Sequence, residues 1–198
     1  FTSSGAVYGK NTNKKKDLES KKIEVDSINN FIGYKKKYAK EKIFLEKKFK
    51  DLATNGYKVS IARCYTFIGK NIMPYNYVIS DLINDALKKK EIKLKTTANL
   101  YRSFMHSNDL AKWLITIVKN SNTKCPIYNV GSDKVINLRK LTKKIAKLFD
   151  KKTILKKISS KKFDYYCPSI AKAKKELNLK ISINLNDALN STIKSLND

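Results

Sequence analysis

The apolar pattern changes period twice within the first 64 residues, and this narrows the chain to very few folds. Phe1-Thr2-Ser3-Ser4 reads as the end of a buried strand, with Gly5 opening a loop. Further on, Leu45, Phe49, Leu52 and Ala53 recur at helical spacing, and Tyr38 and Lys42 continue that stripe toward the N-terminus. Asn29 or Asn30 can cap this helix, and Asn55-Gly56 is a good stop. Val59 to Cys64 is short, β-rich and bounded by turn residues, so it reads as a second strand. Strand, helix, strand in this order is a βαβ unit, which requires a parallel sheet with a right-handed crossover. Residues 10–30, with Lys14-Lys15-Lys16, read as a long surface loop.

After Gly69 the character changes. Met73-Pro74 signals a turn, and a helix is expected from about Tyr77 to Lys90. A short strand from Ile92 to Lys95 follows. Ser107-Asn108-Asp109 opens a helix with Leu110, Trp113, Leu114, Ile117 and Val118 at helical spacing. Trp113 reads as core. Ile127 to Gly131 is a strand running into a turn, Asn137 caps a helix to about Phe149, and Thr153 to Lys157 is a further strand. Helices starting at Pro168-Ser169 and at Asn186 complete the chain.

The chain of 198 residues is long enough for one domain or one and a part, and it has no apolar run long enough to cross a bilayer. It lacks an initiator Met and a signal-peptide pattern, so it reads as a fragment without its N-terminal part. Cys64, Cys125 and Cys167 are odd in number and widely spaced, and His106 is the only histidine. A metal site or disulfide framework is therefore not expected, and a reducing cytoplasm fits. A net charge of +26 raises the question of nucleic acid. Only three of the 43 basic residues are Arg, however, namely Arg63, Arg102 and Arg139. Phosphate and base recognition favours the forked guanidinium. The lysines are also spread along the chain, which reads as a solvated surface suited to attracting an anionic small molecule. A basic non-catalytic nucleic-acid-binding domain remains the rival of another class, and a non-catalytic scaffold is a third reading.

Tyr38 and Lys42 carry the candidate chemistry. Four residues apart on a helix, they lie on one face. A lysine beside a phenol favours the phenolate and prepares the tyrosine to move protons. Alone, this spacing arises by chance in so lysine-rich a chain.

Its neighbours add to it. Ser3-Ser4-Gly5-Ala6-Val7-Tyr8-Gly9 stands upstream, Glu46 lies four residues after Lys42, and Arg63-Cys64-Tyr65-Thr66-Phe67-Ile68-Gly69 follows. Tyr101-Arg102-Ser103-Phe104 with Asp109-Leu110-Ala111, Tyr128-Asn129-Val130-Gly131-Ser132 and the stretch from Pro168 to Leu177 continue the pattern. Together these segments resemble the extended short-chain dehydrogenase/reductase family, the NAD-dependent sugar-nucleotide epimerases and dehydratases, over nearly the whole chain.

The resemblance implies an α/β fold, a partial Rossmann-like parallel sheet with a smaller α/β substrate-binding domain. Residues 1–70 would be the C-terminal part of the NAD(P)-binding domain. Residues 71–198 would be mainly substrate-binding, with segments at about 92–130 returning to the sheet. It implies Ser4, Tyr38 and Lys42 as catalytic residues, and Tyr38, Lys42 and Tyr65 as contacts to NAD or NADP. Arg102, Thr66 and Asp81 would contact a nucleotide-activated sugar, with Arg102 on the diphosphate. The alternative use of Arg102 is a surface ion pair. A homodimer is implied for the intact protein.

Departures from the pattern are plain. No Gly-rich turn that cradles a dinucleotide pyrophosphate occurs in the chain. Thr66 stands where the family has Asn, and Thr96-Thr97-Ala98-Asn99 replaces a Gly-Asp-Gly-like turn. Gly5 and Ala6 follow Ser4 where the 4,6-dehydratases carry Asp-Glu. An epimerase or oxidoreductase is therefore expected, with a nucleotide-glucose 4,6-dehydratase as the alternative. Asp17, Glu19 and Glu24 are the loop carboxylates that would serve the latter.

Overall fold

β1 (Thr2–Ser4), β2 (Ile61–Cys64) and β7 (Ile127–Val130) form a parallel sheet in the order β1-β2-β7 in a computed structural model of the chain. The structure describes residues 1–23, 28–31, 33–70, 77–159 and 163–197. The Met73-Pro74 turn and Glu24 lie outside them. The sheet is the βαβ unit expected from the sequence: Ser4, Cys64 and Val130 sit side by side at its carboxyl end.

The crossover helix α1 (Tyr34–Thr54) ends where expected. Gly56 adopts φ of 91°, a left-handed conformation natural to glycine, and its N–H reaches the Ala53 carbonyl at 3.0 Å. The Tyr57 N–H reaches back to Leu52 at 3.2 Å, completing a capping motif for the last carbonyls. The start differs from expectation. Neither Asn29 nor Asn30 caps the helix, which follows Gly33 with no side-chain cap.

The stripe on α1 also differs. Leu45 and Leu52 are exposed, while Ala39, Glu46 and Ala53 are buried and Ile43 and Phe49 partly so. The inward face carries a carboxylate at its centre, so a hydrophobic count places it one position away. Lys42 lies half-buried beside this face, and Tyr38 is 36% exposed.

Residues 10–23 are less superficial than expected. Lys14, Lys15 and Lys16 are exposed, but Asn11 and Asp17 are buried. The Asp17 backbone bridges Pro168, donating to the Cys167 carbonyl at 3.1 Å and accepting from the Ser169 N–H at 2.8 Å. The segment is a strap across the carboxyl end of the sheet.

Beyond β3 (Phe67–Ile68), α2 (Val78–Lys88) and β4 (Glu91–Leu94) appear as expected. β5 (Asn99–Ser103) and β6 (Met105–His106) are strands that the local pattern does not announce. α3 (Ser107–Lys119) buries Trp113 completely, its indole N–H donating to the Lys180 carbonyl at 3.1 Å. β8 (Val135–Asn137) leads into α4 (Leu138–Leu148), where the Asn137 side chain accepts from the Arg139 N–H at 2.9 Å, the expected cap. β9 (Lys152–Leu155), β10 (Phe163–Tyr166), α5 (Ala171–Leu177) and α6 (Leu185–Asn197) follow.

β5 lies between β10, parallel, and β8, antiparallel. β4 pairs with β9, and β3 with β6, both in parallel. One core gathers α2, α4 and α6 around β4, through Leu82, Ile83, Ile92, Leu141, Ile145 and Leu189. A second packs Trp113 and Ile117 against Tyr128 and Val130 of the central sheet. The molecule is therefore a mixed α/β structure built on parallel strands.

Candidate active site

In open α/β sheets, ligands bind beyond the carboxyl ends of the strands. Ser4 ends β1 there. It caps the single 3-10 turn Gly5–Tyr8, its Oγ accepting from the Ala6 N–H at 3.2 Å. Tyr166 of β10 stands over the neighbouring Gly5. Tyr166 lies against Tyr65, ring centroids 4.5 Å apart. Burial pushes the Tyr166 phenol well above its ordinary range, so it stays protonated and can donate.

Gly5 makes this contact possible. A Cβ there would lie 2.6 Å from the Tyr65 ring and 2.8 Å from the Tyr166 hydroxyl.

α1 brings Lys42 against β1. The Lys42 ammonium donates to the Thr2 carbonyl at 2.9 Å, two residues from Ser4. It also lies 5.7 Å from the centre of the Tyr38 ring and 5.0 Å from that of Phe1. Tyr38 and Lys42 thus share one face of α1, Lys42 is tied to the strand that Ser4 ends, and Tyr166 lies beside Gly5.

A buried polar network holds the two sides together. Glu46, one turn beyond Lys42, accepts the Ser3 hydroxyl at 2.6 Å and two N–H groups of Arg63. Arg63 Nη1 donates to the Tyr8 hydroxyl at 2.8 Å, and Tyr8 donates to Asn129 Oδ1 at 2.8 Å. Burial works against the Arg63 charge, but the hydrogen bonds to Glu46 and Tyr8 and the Glu46 carboxylate raise its pKa all the same. Burial pushes the Tyr8 phenol up to about 12, against the pull of Arg63. Both groups therefore hold fixed charge states across the neutral range.

The remaining expected residues are spread more widely. Tyr65 is buried and its hydroxyl donates to Asp17 Oδ2 at 3.2 Å. Thr66 donates its hydroxyl to the Ser103 carbonyl, bracing β3 against β6. Arg102, at the β5 position opposite Tyr166, is ion-paired with Asp164. Asp81 sits on the exposed side of the first turn of α2. Of the loop carboxylates, Asp17 is buried and accepts from Asn11, Lys21 and Tyr65, and Glu19 accepts from the Asn129 N–H at 2.9 Å. Among the described residues, no group of three His, Cys, Asp or Glu side chains is arranged to hold a metal ion.

Tyr166 and Asp164 are the neighbours that sequence reading missed. The alternating aromatic pattern of Phe163-Asp164-Tyr165-Tyr166 was the available strand signal.

The profile of the NAD dependent epimerase/dehydratase family matches residues 1–131. Comparison with the sequences of curated proteins finds no match. Among solved structures, UDP-glucose 4-epimerase from Thermotoga maritima with UDP-glucose superposes with a TM-score of 0.81 at 18% identity, covering 100% of this chain and 62% of that one. dTDP-glucose 4,6-dehydratase from Bacillus anthracis with NAD gives 0.76 at 18%, covering 99% and 60%. RMD from Pseudomonas aeruginosa complexed with NADPH gives 0.76 at 18%, covering 98% and 64%. These likenesses establish the Rossmann-like fold, and the chain spans about three-fifths of each protein's length. No helix among the described residues is long and apolar enough to cross a membrane. By the match over its first 131 residues, the chain belongs to the NAD dependent epimerase/dehydratase family.

Proposed function

We propose that this chain forms the proton-transferring and sugar-binding part of an NAD(P)-dependent enzyme that oxidises a hydroxyl-bearing carbon of a nucleotide-activated sugar. The observation that supports this reading is the Lys42 bond to the Thr2 carbonyl, which ties the Tyr38–Lys42 face of α1 to the strand that ends in Ser4. Tyr38 takes the proton from the sugar hydroxyl as its carbon is oxidised, and later returns one. Ser4 hydrogen-bonds the same oxygen and orients it. Lys42 stabilises the negative charge that passes through Tyr38.

The donor set suits one end of a dinucleotide. Lys42 spends one of its three N–H groups on Thr2, which leaves two for ribose hydroxyls. Tyr38 and Lys42 would hold that ribose. Tyr65 can offer only its ring and backbone, because its hydroxyl is committed to Asp17. A bound nicotinamide would accept the hydride from the sugar carbon. The six glycines supply no Gly-rich turn for the pyrophosphate, so its cradle is not formed by these residues.

In this reading Arg102 meets the nucleotide diphosphate, and Thr66 and Asp81 line the nucleotide-sugar site. Residues 1–70 carry the catalytic part, and 71–198 mainly bind substrate. Inversion or oxidation is favoured over 4,6-dehydration, which needs further acid and base groups near the reacting carbons. The space beside Gly5 is filled by Tyr65 and Tyr166, and Asp17 and Glu19 are engaged elsewhere. The enzyme would act in the cytoplasm as a homodimer, in activated-sugar or surface polysaccharide synthesis.

The test is to incubate the intact protein with UDP-glucose and NAD, follow nicotinamide reduction, and identify the sugar product by NMR. Turnover that survives undiminished in Tyr38→Phe would overturn the assignment.

A further inference from the structure

Arg102 is offered above to a diphosphate, yet its guanidinium already has an anion. Nη2 donates to Asp164 Oδ2 at 2.6 Å, and Nη1 donates to the carbonyls of Tyr101 at 2.7 Å and Asp164 at 3.3 Å. The side chains are 17% and 25% exposed, so this is not the loose surface pair that would be the plain alternative. The sheet fixes it. β10 runs parallel to β5, with Tyr166 opposite Arg102 and Asp164 opposite Leu100. The same strand carries Tyr166, whose hydroxyl stands over Gly5, next to Ser4.

We propose that Asp164 is a built-in competitor for the anion that Arg102 receives, so that a diphosphate must displace a carboxylate to reach the guanidinium. The proposal rests on the reading of Arg102 as the diphosphate contact. Carboxylate and phosphate both present oxygens to the same planar fork, and one guanidinium edge serves one of them at a time. Once displaced, Asp164 is exposed enough to be taken up by water. The device suits a chain with a net charge of +26, whose surface attracts every small anion. Inorganic phosphate would gain only Arg102 in exchange for the pair it breaks. A nucleotide diphosphate brings its nucleoside contacts as well and can meet that cost.

The experiment is titration calorimetry of the intact protein with UDP at fixed ionic strength, on the parent, Asp164→Asn, Asp164→Glu, Arg102→Lys and the Asp164→Asn/Arg102→Lys double variant. Removing the competing charge in Asp164→Asn should tighten UDP about five-fold or more. Asp164→Glu should bind like the parent, and the gain should vanish in the Arg102→Lys background. A gain that persists there would come from net charge alone and would overturn the proposal, as would Asp164→Glu binding as tightly as Asp164→Asn. If Arg102→Lys weakens UDP while Asp164→Asn binds no tighter than the parent, the competitor role fails and the Arg102 reading stands. If Arg102→Lys binds UDP like the parent, both fall together.

Discussion

Glu46 accepts from Nε of Arg63 at 2.9 Å and from its Nη2 at 2.7 Å, with the two side chains only 2% and 3% exposed. The pair joins the middle of α1 to the middle of β2. Through Ser3, Tyr8 and Asn129 it reaches β1 and β7 as well. The helix that carries Tyr38 and Lys42 is thereby fixed against all three strands of the central sheet by directional bonds, in addition to the apolar packing of Phe49 and Ala53.

Breaking this pair from one side should be costly. Glu46→Ala leaves a buried guanidinium without its carboxylate, and urea unfolding should show a loss of about 3–5 kcal/mol. Replacing both partners, as Glu46→Leu with Arg63→Met, should restore much of the loss, since no unpaired charge remains. A double variant no better than Glu46→Ala would mean that the bonds to Ser3 and Tyr8 dominate.

Gly5→Ala should destabilise the fold by about 1–3 kcal/mol, because the new methyl overlaps the Tyr65 ring and the Tyr166 hydroxyl. The companion Tyr166→Phe should relieve part of that cost, as it removes the oxygen in the way. Thermal unfolding of the single and double variants decides. Equal melting temperatures for the parent and Gly5→Ala would show that the space beside Ser4 is open after all.

Tyr38→Phe and Lys42→Ala in the intact protein should each reduce turnover by about a hundred-fold or more, the usual worth of a proton-transfer group. Circular dichroism should show an unchanged fold, because Tyr38 is 36% exposed and Lys42 half-buried. Lys42→Ala also removes the tie to Thr2, so a drop in melting temperature is expected there and not in Tyr38→Phe.

Asp17 gives a pH signature. Burial raises its carboxyl above the ordinary value of 3.8, against the pull of Lys21. The folded state therefore holds this proton more tightly than the unfolded chain. Stability from this group is fully present below 3.8 and is lost as pH rises through the higher folded value. In Asp17→Asn that slope disappears. Urea midpoints measured from pH 3 upward should show the parent losing ground to the variant across that window. A difference that does not change with pH would show that Asp17 is not the titrating group.

Local chemistry made much of this molecule legible. The Asn55-Gly56 stop, the Asn137 cap and the Trp113 core position each follow from a few neighbouring residues, and the βαβ unit follows from their order. Glu46 and Asp17 were not legible as inward-facing, because their burial depends on Arg63 and on Lys21, Asn11 and Tyr65, which pattern alone does not bring near. β10 escaped for a related reason. It follows a lysine-rich stretch, and its partner β5 lies far upstream in sequence. The site divides the same way. Ser4, Tyr38 and Lys42 were named from spacing and resemblance, whereas Tyr166 and Asp164 enter only through the pairing of two distant strands.

The strap that Asp17 anchors has a consequence for how the chain is made. Its carbonyl is held by the Asn129 side chain, 112 residues away in sequence, and its backbone bridges Pro168 further on. Contacts of such long range form late, since the entropy of closing the loop is lost before the bonds compensate. During synthesis the ribosome must deliver Pro168 before the strap can close. Until then the side chains of Asn11 and Asp17, which the finished protein buries, are open to water.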